Sequence, residues 1–129
     1  MTMTSEIPAG EWREFLPRLS QRNQGRPVRL ETSVAPGEGE PVLAEHQPFL
    51  GLELEPRGSE APAITVMLGG LDARTPEFTH FVRDPTRLWV EENLPGSVSA
   101  VEIESAGAGR TLLVFEREAA LPEPGRLPD

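Results

Sequence analysis

Histidine is the side chain best suited to moving a proton near neutral pH, and the chain has two, His46 and His80. Neither belongs to an HxH or HExxH pattern, so their spacing gives no metal site, and a structural or solvent-facing role is the expectation for both. His80 is the more interesting. It lies between Phe78 and Phe81, just before Arg83 and Asp84. If folding brings Glu91 or Glu92 beside it, His80, Arg83 and a carboxylate would form a pocket fit for a small ligand or for acid–base chemistry. The carboxylates also come in pairs. Glu53 with Glu55 and Glu102 with Glu104 stand two residues apart, which puts both members of each pair on one face of a strand. Glycosidase-type catalysis needs two carboxyls about 5–9 Å apart across a cleft, usually with aromatic rings to stack on sugar. Only seven aromatics occur, and at least four of them read as core. A solvated sheet face is therefore the plainer expectation for these pairs.

Composition removes further chemistry. Among 129 residues there is no cysteine, no tyrosine and no lysine, so all twelve cationic side chains are arginines. A thiolate nucleophile, a disulfide and a Cys-ligated zinc are excluded, as are Schiff-base and phosphate-loop lysines. Three glycine clusters remain: PGEGEP at 36–41, LGG at 68–70 and GAGRT at 107–111. None opens a helix after a strand in the manner of a nucleotide loop, and no GxSxG elbow occurs. All three read as turns, and no cofactor is expected.

The elements that must position these residues are one helix and a series of strands. Trp12, Phe15, Leu16 and Leu19 fall at i, i+3, i+4 and i+7, the stripe of an amphipathic helix, with Glu11, Arg13, Glu14 and Arg18 on the other side. Pro8 suits its first turn, and Gly25 followed by Pro27 stops it. Pro17 removes one hydrogen bond from the interior, so a kink or break is expected there. Beyond Gly25 the period is two. Extended runs begin at Val28, Val42, Ala63, Phe78, Arg87, Ser99 and Arg110, separated by glycine- and proline-bearing turns. Pro48 and Gly51 mark a bend or bulge in the long run from Val42. The expected fold is α+β and mainly β: an N-terminal amphipathic helix, then a six- to seven-stranded antiparallel sheet curled or closed into a small barrel. The expected domain is 7–117, with a flexible 1–6 and a flexible proline-rich tail at 118–129. The length suits one such domain.

Charge is uneven along this plan. Residues 11–30 carry five arginines against two glutamates, a balance of +3, within a chain of net charge −9. The arginines are Arg13, Arg18, Arg22, Arg26 and Arg29. An overall acidic chain opposes nucleic-acid binding unless its cations are concentrated, and no RNP-like aromatic pattern accompanies this cluster. GC-rich codon usage explains the arginine, proline and glycine content without reference to function. No apolar run reaches the roughly 18 residues of a membrane span, and the first residues lack the basic and apolar regions of a signal peptide. A cytoplasmic setting is expected.

Several stretches, IPAGEWREFL, QPFLGLELE, ITVMLGG, THFVRDPTRLWVEE and VEIESAGAGRTLLVFE, spanning roughly residues 7 to 116, resemble a family of small prokaryotic proteins of unknown function. The resemblance implies a shared fold and carries no activity to any residue. The functional expectation is a non-enzymatic binding or protein-interaction module that associates with itself or with another protein. Trp89 supports it: Leu88 and Val90 point one way, so Trp89 points the other, towards a partner. The alternatives are a small-ligand binder or enzyme using His80, Arg83 and Glu91 or Glu92, and an Sm- or SH3-like RNA-binding barrel.

Overall fold

The structure, a computed structural model, describes residues 2–33, 42–55, 63–70, 77–94, 96–106 and 109–116. Strand β1 (Met3–Ile7) leads through a turn of 3₁₀ helix (Ala9–Glu11) into helix α1 (Trp12–Asn23). There follow β2 (Pro27–Ser33), β3 (Val42–Glu55), β4 (Ala63–Leu68), β5 (Phe78–Arg83), β6 (Pro85–Leu94), β7 (Ser97–Ser105) and β8 (Arg110–Phe115). The strands form one antiparallel eight-stranded sheet in the order β1-β6-β7-β8-β2-β3-β4-β5. One helix before a mainly β, antiparallel sheet is the class that the periodicity predicts.

The strand count differs from expectation, and of the two forms expected, curled or closed, the sheet takes the open one. The sheet has eight strands rather than six or seven, and it is curled but open, with β1 and β5 at its ends. The added strand is β1, which falls mostly on the expected flexible 1–6. Its residues MTSEI carry no apolar alternation, and all but Ile7 are exposed. Backbone pairing with β6, from Met3 opposite Glu92 to Ile7 opposite Leu88, holds it instead. Hydrophobic patterning cannot reveal a strand of that kind. The proline-rich tail at 118–129 and the turn at 36–41 lie outside the described residues.

The curl comes from two strands that bend. β5 passes through Asp84 alone into β6, and Asp84 adopts a left-handed φ of 50°, a conformation aspartate tolerates better than most residues. Its carbonyl accepts a hydrogen bond of 3.0 Å from the Ala106 amide, which fixes the bend against the end of β7. The other bent strand is β3. Its first half pairs with β2 and its second half with β4, with register shifts at both junctions. The shift between Phe49 and Gly51 sets Leu50 outside the alternation, so Leu50 is exposed while Leu52 is buried and Leu54 half-buried.

Where β3 leaves β2, helix α1 and its C-terminal turn take over the vacated edge. The Phe49 amide donates to the Arg26 carbonyl at 2.8 Å, and the Gly25 amide donates to the Phe49 carbonyl at 2.7 Å. Ser20 Oγ then accepts from the Leu52 amide at 2.8 Å and lies 3.1 Å from the Leu52 carbonyl. Gly25 makes the turn possible with a φ of +85°, which L side chains adopt only under strain. The helix thus stands in for a strand. Its apolar stripe, Trp12, Leu16 and Leu19, is buried against Leu30, Phe49, Val66 and Leu88 in one continuous core. Each of those three side chains contributes roughly 1.5–3 kcal/mol by leaving water.

The break anticipated at Pro17 does not occur: α1 runs unbroken from Trp12 to Asn23. The carbonyl deprived of a donor is that of Arg13, and both Arg13 and Pro17 lie on the exposed side, where water can replace the missing amide. Ser20 is the more consequential residue. Ser20→Ala strips a buried strand amide of its acceptor and is expected to destabilise the protein by about 1–3 kcal/mol. Urea unfolding checks this as a lowered midpoint at unchanged slope.

Candidate functional site

The helix covers only one face of the sheet, so the opposite face of β1, β6, β7, β8 and β2 is turned to solvent. Register lines its residues up in rows. Glu6, Trp89, Glu102, Leu112 and Glu31 stand side by side across the five strands, and Thr4, Glu91, Ala100, Val114 and Arg29 form the next row. Ala100 is the small residue between larger neighbours. The depression it leaves is a pocket of about 290 Å³ lined by Thr4, Trp89, Glu91, Ala100, Glu102 and Leu112.

Trp89 points out of the core, as the alternation with Leu88 and Val90 predicts, and it is half-buried against this face. Its orientation is fixed, because the indole Nε1 donates to Glu104 Oε2 at 2.6 Å. Glu102 lies beside it. Arg110 Nη1 stands 3.2 Å from Glu102 Oε1, yet partial burial, with the neighbouring Glu104 charge adding to it, holds the Glu102 carboxyl above its ordinary range. Arg29 Nε is bound to Glu31 Oε2 at 2.6 Å on the same face, which raises the Arg29 guanidinium further above its already high value, chiefly through that hydrogen bond and charge. The surface is an aromatic plate set among carboxylates, of which Glu6, Glu31 and Glu102 each have an arginine beside them, Arg87, Arg29 and Arg110. Among the described residues no group of three or more His, Asp or Glu is arranged to hold a metal ion.

His80 and Arg83 are placed elsewhere. On β5, His80 stands opposite Val66 on the core side of the sheet, and Arg83 stands opposite Ala63 facing out. β6 departs from β5 at the Asp84 bend, carrying Trp89 and Glu91 to the face described above. The structure therefore brings Trp89 and Glu91 together and leaves His80 and Arg83 apart from them. Burial alone lowers the His80 pKa. His46, the other histidine, is exposed: it sits with a left-handed φ of 55° at the shifted register between β2 and β3. Its Nδ1 lies 2.8 Å from Glu116 Oε2, across to the end of β8.

The arginine cluster is also divided by the fold. Arg26 bonds the Asn23 side chain at 2.7 Å and the Val98 carbonyl at 2.9 Å, and its guanidinium lies 4.7 Å from the Phe115 ring centre. It is part of the scaffold, as Arg29 is part of the Glu31 pair. Arg13, Arg18 and Arg22 remain exposed along α1. Sequence reasoning reached Trp89, Glu91 and the Glu102–Glu104 pair separately. What joins them is the register Trp89 opposite Glu102, which the hairpin's alternation does not specify to the residue.

A family model described as a family of unknown function (DUF5335) matches residues 3–124. Comparison with curated proteins and with solved structures returns no match.

The two displaced titrations give opposite signs. His80 is harder to protonate in the folded state, so its contribution to stability is present above the ordinary imidazole range and is lost as pH falls through it. Glu102 is easier to protonate in the folded state, so its contribution is present in acid and is lost as pH rises through the range just above the ordinary glutamate value. Unfolding midpoints across pH 3–8 are expected to lose the first dependence in His80→Gln and the second in Glu102→Gln. A variant that leaves the profile unchanged would contradict the corresponding assignment.

Proposed function

The chain belongs to the DUF5335 family of unknown function, and we propose that it is a binding module whose solvent-turned sheet face receives a cationic segment of another protein. The single observation that carries this reading is the Trp89 pocket, in which a fixed indole is bordered by the carboxylates of Glu91 and Glu102. A lysine or arginine head set on such a ring gains from the ring quadrupole and from the adjacent negative charge, about 0.5–2 kcal/mol for the ring contact alone. Glu102, although Arg110 already stands 3.2 Å from it, is held above its ordinary range by burial and by the Glu104 charge, so a second cation still lowers the cost of its ionised form. The net charge of −9 steers such a partner from a distance.

The same features weigh against the other readings. A nucleic acid would meet this face through its phosphates, which the carboxylates repel. An enzyme built on His80, Arg83 and Glu91 would need them around one cavity, and only Glu91 lines the pocket. The cytoplasm is the setting included in this proposal, which the absence of cysteine permits.

Oligolysine of about ten residues is a suitable probe. Trp12 is buried and Trp89 half-buried, so an emission change on titration reports mainly Trp89. Binding is expected to weaken with salt, and Trp89→Ala and Glu91→Gln are each expected to weaken it roughly tenfold, the equivalent of about 1.4 kcal/mol. Affinity indifferent to both substitutions would overturn the proposal, as would the absence of any interaction at low salt.

A further inference from the structure

The second pocket of interest lies on the other side of β6, between that strand, β1, the start of β7 and helix α1. It has a volume of about 210 Å³. Its apolar lining includes Ile7, Phe15, Leu19 and Val98, of which Leu19 and Val98 are buried core residues. Over this lining stand Arg18 and Arg22, one helical turn apart on α1 and therefore on one face. Neither makes a hydrogen bond or ion pair with another described residue, in contrast to Arg26 and Arg29 on the same stretch of chain. Two exposed guanidinium groups thus stand beside an apolar hollow without an ion pair among the described residues, and Glu92 is the one carboxylate in the lining.

We infer that this pocket binds a small organic acid, its apolar body against Phe15, Leu19 and Val98 and its anionic head between Arg18 and Arg22. Guanidinium groups suit such a head because their planar donors match the oxygens of a carboxylate. The size of the hollow limits the body to about that of one aromatic ring. Glu92 also borders the pocket, and one of its oxygens accepts the Gly96 amide at 2.7 Å. Its charge disfavours an anion with more than one negative group and sets the sign of a decisive test. The site is independent of the Trp89 pocket, since Trp89 and Val90 project to opposite faces of β6.

Phenylacetate and its uncharged counterpart 2-phenylethanol are the probes, followed by amide chemical shifts of the full chain. Phenylacetate is expected to give saturable shifts at Leu19, Gly96 and Val98, and 2-phenylethanol at least tenfold weaker ones. The double substitution Arg18→Gln and Arg22→Gln is expected to abolish saturation without lowering the thermal midpoint, because both side chains are exposed. Glu92→Gln is expected to tighten binding of the acid. Equal affinity for the alcohol, shifts confined to other regions, or weaker binding of phenylacetate in Glu92→Gln would each overturn the inference, the last because removing a neighbouring negative charge cannot weaken an anion held by Arg18 and Arg22.

Discussion

The structure depends on how the backbone of β3 is satisfied after it parts from β2. A strand that changes partners half-way leaves a run of amides and carbonyls facing nothing, and buried backbone groups without partners are among the costliest defects a fold can carry. Here the run from Phe49 to Leu52 is met by Arg26, Gly25 and Ser20 in turn. The helix is therefore docked by two kinds of interaction at once, an apolar stripe below and a polar edge beside it. The second fixes its position along β3, which an apolar stripe alone leaves free to slide.

Both pockets follow from that placement. With α1 against the edge of β3 and over one face of the sheet, the pocket bearing Arg18 and Arg22 forms where the helix meets β1, β6 and β7. The other face of those strands is left uncovered, and there the chain places carboxylates, arginines and Trp89. Trp89 is kept from collapsing onto its neighbours by its bond to Glu104. The scaffold needs Arg26 as much as it needs its aliphatic residues. The guanidinium joins the helix end, β7 and the Phe115 ring, which itself meets Phe49 edge-on at 5.1 Å between centres.

Much of this was legible in the sequence because burial imposes periods. The stripe Trp12, Leu16 and Leu19 and the alternations in β2, β7 and β8 are direct consequences of one-sided burial, and so is the outward direction of Trp89. What escaped were features held by backbone or by register. β1 has no apolar period to read, and the helix survives Pro17 because the lost bond faces water. Leu50 belongs by spacing with Leu52 and Leu54, but the shifted register beside Gly51 sends it out. His80 and Arg83 precede Glu91 by eleven and eight residues, and the bend at Asp84 separates them, whereas Trp89 and Glu102, thirteen residues apart, are adjacent across a ladder. The same division applies to the arginines, which form one cluster by position and several separate roles in space.

The measurement that bears most directly on this account is native-state hydrogen exchange at the Leu52 amide. If Ser20 and α1 truly replace a strand at the edge of β3, this amide is expected to be protected to the same degree as that of Val66 in the middle of the sheet, and to open only with global unfolding. Exchange at the rate of a freely solvated amide would contradict it, and with it the position of the helix on which both pockets rest.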